Sequence, residues 1–399
     1  MQVNDILNGS LTTPLGFQGG AVSAGLKPEN QLDLAILFAA SGSIGAGVFT
    51  KNKILAPPVL ITKEHLATSN PRAIVVNSAI ANAVVGDKGL EDARTMATIT
   101  ADALNINPSE VLVCSTGVIG VPLPMDLIKE GINKVKLIEN DHGFSKAIMT
   151  TDTRPKEFAV SIDINGEKIT VAGAAKGSGM IHPDMATMLA FLTTDARIAS
   201  ETLSRILSKA VDMSFNMVTI DGDSSTNDSV LMIASGQVGR ELILDGQQEE
   251  DLQSAVNNLC IRLAKEIARD GEGATKLIEV RIEGANNLDE ARLAARTIAA
   301  STLMKAAVFG NDPNWGRAIA ALGRSGADFT ENKLSLSINR IEMLKNGAPV
   351  PFVKDEAVKS MESTECEIYI HLGIGDESAT AWTCDLTEEY VHINSAYTT

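Results

Sequence analysis

Short apolar runs rich in β-branched residues recur along the whole chain, with amphipathic stretches between them. The runs at 34–38, 59–62, 73–76, 111–114, 158–164 and 168–172 predict strands. Those at 188–193, 229–234, 277–282, 334–338, 367–372 and 379–384 predict strands further on. Glu367-Ile-Tyr-Ile-His371 alternates strictly, as a strand with two unlike faces does, a pattern common in antiparallel sheets. Between 249 and 269, Leu252, Val256, Leu259, Leu263 and Ile267 recur every three or four residues and predict a helix with one core-facing stripe. Asn287 followed by Glu290 is an N-cap pair, and predicts a helix running to about Ala307. The mixture predicts an α/β (α+β) fold, a layered sandwich of mixed sheets covered by helices. No repeat, low-complexity tract or Ser/Pro-rich linker divides it. The turn-rich stretch 173–184 is the clearest break.

Composition narrows the class. A chain of 399 residues suits one large α/β body or two domains. Basic residues number 34 and acidic ones 50, so the net charge is −16, which repels phosphate backbones and anionic membranes. No nucleic-acid or membrane partner is expected. Aromatic residues are only 4%, so Ala, Val, Ile, Leu and Met must build the core. No apolar run reaches the 18 residues of a spanning helix. The start, Met-Gln-Val-Asn-Asp, lacks the layout of a secretory signal, and a cytoplasmic protein is expected. Cys114, Cys260, Cys366 and Cys384 form no CxxC pair, and His65, His142, His182, His371 and His392 form no HExxH. Neither disulfides nor a metal site is expected.

The familiar chemical signatures are missing: no GxGxxG after a strand, no GxxxxGK[ST], no GxSxG. Asp221-Gly-Asp-Ser-Ser-Thr-Asn-Asp228 resembles a calcium loop, but Thr226 stands where the turn needs Gly and Met232 where a bidentate Glu belongs. The segment 175–189 packs glycines and Pro183 before Met185-Ala-Thr-Met-Leu189. One reading is a glycine turn entering a buried strand, with Thr187 a good β-former; local pattern alone favours it. The other is a self-cleaving bond between Ala186 and Thr187. The Thr hydroxyl attacks the preceding carbonyl from a strained turn, and hydrolysis of the ester frees the Thr187 amine. That amine titrates near ~7.7–8.0 and can serve as a general base beside its own hydroxyl. One residue then supplies nucleophile and base.

The ordered motifs carry a resemblance. They are Gly16-Phe-Gln-Gly-Gly-Ala-Val-Ser-Ala-Gly-Leu-Lys27, Val48-Phe-Thr-Lys-Asn52, Cys114-Ser-Thr-Gly-Val-Ile-Gly120 and Ile148-Met-Thr-Thr-Asp-Thr153. Then come Lys176-Gly-Ser-Gly-Met-Ile181 with Met185-Ala-Thr-Met-Leu189, Asp221–Asp228, Gly271-Glu-Gly-Ala-Thr-Lys276, Phe309-Gly-Asn-Asp-Pro-Asn-Trp-Gly-Arg317 and Asn394-Ser-Ala-Tyr-Thr-Thr399. In this order they resemble the glutamate N-acetyltransferase / ornithine acetyltransferase family of arginine biosynthesis.

The resemblance implies self-cleavage between Ala186 and Thr187 into intertwined chains, 1–186 and 187–399, paired as α2β2. It implies acetyl transfer from N2-acetyl-L-ornithine to Thr187 and on to L-glutamate, in ping-pong order and without a cofactor. N-acetylglutamate synthesis from acetyl-CoA, then a substrate, is the expected second activity, and a monofunctional enzyme is the alternative. Thr116 and Gly117 match the oxyanion-hole pair. Thr153, Lys176, Thr187, Glu272, Asn394 and Thr399 match substrate-binding positions. Without the resemblance these would read as a loop turn, a cap, surface charges and a fraying tail. His182 is left as a turn residue. One stretch departs: Asn77-Ser-Ala-Ile-Ala-Asn-Ala83 has Ala79 and Ile80 where the family carries Gly and Asn. A related self-processing hydrolase and an uncut binding protein are the competing readings. The intact motifs around Lys176 and Glu272 favour the transferase.

Overall fold

Strand Leu34–Ala39 shows how the layers are built. Successive side chains of a strand point to opposite faces. On one face, Leu34 and Ile36 pack with Ile61, Met96 and Ile128. Those residues belong to the helices Pro57–Thr68, Asp87–Leu104 and Met125–Lys134. On the other face, Ala35, Leu37 and Ala39 pack with Phe191, Leu231 and Ile233 of a second sheet. A strand covered on both sides reads as an unbroken apolar run, which is how it appears in the sequence. The computed structural model describes residues 2–182, 188–243 and 245–396.

The first sheet has the order Phe17–Val22, Leu34–Ala39, Ala73–Asn77, Val111–Ser115, with the last pair parallel. The sheet facing it has six strands, in the order Asn4–Ile6, Lys156–Ile164, Glu167–Lys176, Leu189–Ile198, Ser229–Ile243, Ile44–Phe49. Only Leu189–Ile198 and Ser229–Ile243 run parallel there. Between the sheets, Phe144 meets Phe191 edge-on at 5.0 Å, a favoured aromatic geometry. Helices Ser200–Met213 and Gln247–Arg269 cover the far face of the six-stranded sheet. Leu252, Val256, Leu259, Leu263 and Ile267 are all buried, as the stripe requires. A third sheet shares this core with helix Leu288–Ala299. Its order is Ala348–Pro349, Ile341–Lys345, Ser335–Ile338, Glu365–His371, Leu277–Ala285, Glu377–Cys384.

Three expectations change. Residues 59–62 lie inside helix Pro57–Thr68, not in a strand. Pro57 and Pro58 occupy the first turn, where no N–H partner is required and the fixed φ suits the helix. The helix expected from Asn287 to about Ala307 is two. Asn287 accepts from the Glu290 N–H at 2.9 Å as predicted, and Ser301 starts a second helix, Thr302–Phe309, by accepting from the Met304 N–H. The break at 173–184 begins later, because 173–176 complete strand Glu167–Lys176. Glu365–His371 alternates in burial, yet it pairs parallel with Leu277–Ala285 as well as antiparallel with Ser335–Ile338. All four cysteines are buried thiols. Among the described residues no helix is long and apolar enough to cross a membrane, and no three His, Cys, Asp or Glu side chains gather to hold a metal ion.

Candidate active site

Parallel strands Ala73–Asn77 and Val111–Ser115 end side by side, where the Ser115 hydroxyl donates to Asn77 Oδ1 at 2.6 Å. The loops that follow lace together. The Thr116, Val118 and Gly120 N–H groups donate to the carbonyls of Asn77, Ala79 and Ala83, and the Ala81 N–H donates to that of Val118, all within 3.1 Å. Gly117 sits at φ +130°, and a Cβ there would lie 2.1 Å from the Ala79 carbonyl carbon. Only glycine fits that approach. Gly117 lines the space beyond, and no described residue accepts from its N–H. The departing stretch 77–83 therefore forms the partner of the 116–120 turn. Ala79 occupies a left-handed backbone, φ +79°, that glycine would adopt freely.

That space is a cavity of about 210 Å³. Of the residues expected in a site, it brings together Thr116, Gly117, Lys176, Glu272 and Asn394. Thr153 is not among the described lining residues. Its N–H and hydroxyl both donate to Asp270, and Thr150 and Thr151 line the cavity in its stead. Ala186, Thr187 and Thr399 lie outside the described residues. Met188, the next residue, donates its N–H to Asp228 Oδ1 at 3.1 Å.

Each lining group has a structural cause. Lys176 ends strand Glu167–Lys176 and is 3% exposed, yet no described residue accepts a hydrogen bond from its Nζ. Burial lowers its pKa, and Asp152 opposes that shift. Glu272 is fixed through its N–H, which donates to the Ser178 carbonyl at 2.8 Å, and through Oε2, which accepts from Asn394 Nδ2 at 2.8 Å. Asn394 comes from the last helix, Glu388–Ala396, so the C-terminal region folds back over the cavity. Gly179 has no space for a side chain, since a Cβ would lie 2.4 Å from the Glu272 carboxyl.

The 221–228 loop, which fails as a calcium loop and is one of the motifs that carry the resemblance, builds one wall. Asp221 accepts from the Met180 and Ile181 N–H groups at 2.6 and 2.8 Å. Asn227 Nδ2 donates to the Ala81 and Ser115 carbonyls at 2.6 and 2.9 Å, and so ties this loop to the laced turns. Burial raises the carboxyls of Asp221 and Asp228, the latter well above the usual range. Burial, with the negative charge of Asp221, also raises the Tyr390 phenol. His182 lies in the loop as expected, with Nδ1 3.1 Å from the Thr219 hydroxyl.

A layered α/β body with a polar cavity that carries a buried cation and several carboxylates defines an enzyme of small polar substrates. The ArgJ family profile matches residues 18–399. A protein of Dehalococcoides mccartyi (strain CBDB1), named arginine biosynthesis bifunctional protein ArgJ, is 51% identical over 99% of both chains. One of the same name from Oceanobacillus iheyensis is 44% identical over 100% of this chain and 98% of its own. The crystal structure of arginine biosynthesis bifunctional protein argJ from Bacillus halodurans is 42% identical with a TM-score of 0.51, and covers 52% of this chain and 98% of the solved one. The chain belongs to the ArgJ family.

Proposed function

We propose that this protein transfers acetyl from N2-acetyl-L-ornithine to L-glutamate through an acetyl ester on Thr187, and also makes N-acetylglutamate from acetyl-CoA and glutamate. Family membership and the bifunctional relatives support both activities. The observation that carries the reading is convergence: Thr116, Gly117, Lys176, Glu272 and Asn394, spread over nearly 280 positions, line one cavity.

In the first half-reaction the Thr187 hydroxyl attacks the acetyl carbonyl while its own amine takes the proton. The oxyanion is met by the Thr116 hydroxyl and the Gly117 N–H. The proton passes to the leaving nitrogen and ornithine departs. The α-amine of glutamate then attacks the ester, and N-acetylglutamate leaves. Lys176 pairs with the substrate α-carboxylate, and Glu272 with the side-chain ammonium of ornithine. Asn394 orients Glu272, and Thr399 completes the substrate contacts.

The active form is made by cleavage between Ala186 and Thr187 into chains 1–186 and 187–399, two of each per molecule, acting in the cytoplasm. That 98% of a solved relative's chain corresponds to 52% of this one supports such a division. The test begins with a denaturing gel. Wild type gives two bands near half of 42.1 kDa, and Thr187→Ala gives one full-length band. Wild type mixed with N-acetylornithine and glutamate then yields ornithine and N-acetylglutamate in equal amounts. An uncut wild-type chain defeats the processing, and free acetate in place of N-acetylglutamate means a hydrolase.

A further inference from the structure

Beneath the cavity floor lies an ion triad that neither substrate contact nor chemistry requires. Lys156 is fully buried, with its Nζ 2.6 Å from Asp152 Oδ1 and 2.5 Å from Asp270 Oδ2. Burying three charges is costly unless every one is paired and hydrogen-bonded, and an apolar replacement often holds a fold equally well. These three are paired with one another, and their further partners adjoin residues that line the cavity. Asp152 accepts from the Thr150 N–H at 2.9 Å and from the Gly177 N–H, next to Lys176, at 2.7 Å. Asp270 holds Thr153 through its N–H and hydroxyl, and lies two residues before Glu272. The Thr151 and Ser178 hydroxyls bond at 2.6 Å and close the circuit.

We propose that the Asp152–Lys156–Asp270 triad is a positioning device for substrate binding, with Asp152 the buried counter-charge of Lys176. The proposal rests on the reading of Lys176 as the carboxylate anchor. The triad carries one net negative charge and Lys176 one positive, so together they are neutral, and no described residue accepts a hydrogen bond from the Lys176 Nζ. The charged groups that act on Lys176 are Asp152, Lys156, Asp228, Glu272 and, from the neighbouring loop, Lys27. Burial lowers the Lys176 pKa and Asp152 is the largest opposing influence. Burial raises Asp152 in its turn, but Lys156, Lys176 and the Gly177 N–H outweigh it and bring the carboxyl to about 2, so it stays charged throughout the working range. Lys176 binds a carboxylate only when protonated, so KM climbs as pH rises through its pKa. Removing the Asp152 charge moves that climb to lower pH.

The experiment is KM for N-acetylornithine against pH in wild type, Asp152→Asn, Lys176→Met and Asp152→Asn/Lys176→Met. In Asp152→Asn the upturn moves at least one unit toward acid, about tenfold in KM above it, while kcat holds within threefold. In the Lys176→Met background the Asp152→Asn change adds nothing. A uniform rise in KM at every pH, or no shift, overturns the proposal, because a merely displaced loop has no pH signature. Should Asp152→Asn fail to fold, Asp152→Asn/Lys156→Met removes the ion pair together, and gives the same shift reduced in size; its absence also overturns the proposal. Wild type without acetyl transfer would instead defeat the assigned reaction.

Discussion

Ala79 holds φ +79° opposite Gly117, whose missing side chain leaves room for the Ala79 carbonyl. An L-residue with a Cβ pays roughly 1–2 kcal/mol for left-handed backbone, partly offset by the smaller entropy of unfolded alanine. Ala79→Gly is therefore expected to raise the urea midpoint, by about 1 kcal/mol in stability; an unchanged or lower midpoint refutes this strain. Gly117→Ala is the opposite case. Its Cβ would collide with the Ala79 carbonyl carbon, forcing the laced turns apart. Loss of that N–H from its position should lower kcat for acetyl transfer by about 10²–10³-fold, while far-UV circular dichroism stays unchanged; retained turnover refutes the oxyanion role. Neither role is visible in the residues alone, and the resemblance supplied the positions. At Thr150-Thr-Asp-Thr153 the sequence offers three hydroxyls, and only the fold shows that the one on Thr153 donates to Asp270. Nothing local marks Asn227, whose two acceptors are 146 and 112 residues away.

Elements were legible wherever a single period dominated. The stripe on Gln247–Arg269 is legible because nothing interrupts it, whereas the run at 59–62 has the composition of a strand but follows Pro57 and Pro58 into a helix. What the pattern could not give is how elements meet. Helix Gln247–Arg269 seats on strand Glu167–Lys176 at Gly173, where a Cβ would lie 2.9 Å from Leu263 Cδ1. Leu263 is fully buried, so Leu263→Ala should cost about 2–5 kcal/mol. Gly173→Ala should also destabilise, since its methyl overlaps Leu263 and Leu192. The double variant should cost less than the sum, because each change makes room for the other. Strict additivity in denaturant unfolding would mean that the two do not share this contact.

Over the whole molecule, the sheet order decides what a cut at 186–187 can do. Strands Glu167–Lys176 and Leu189–Ile198 are neighbours, in register from Val171 opposite Thr194 to Lys176 opposite Leu189. Ile44–Phe49 lies beyond Ser229–Ile243 on the other side. The two strands contributed by 187–399 are thus flanked on both sides by strands of 1–186. No linker was found in the sequence because this architecture has no place for one: the halves share a sheet and two of its cores. Separating them would expose the edges of four strands and the apolar faces behind them, a cost set by the whole fold and not by one peptide bond. Cleaved protein is therefore expected to elute from size-exclusion chromatography with both chains in one peak, and to unfold in urea in one transition for both. Uncut Thr187→Ala should give the same far-UV spectrum. Chains that part under native conditions would mean that the sheet is not shared in this way, and that cleavage, once made, dismantles the molecule.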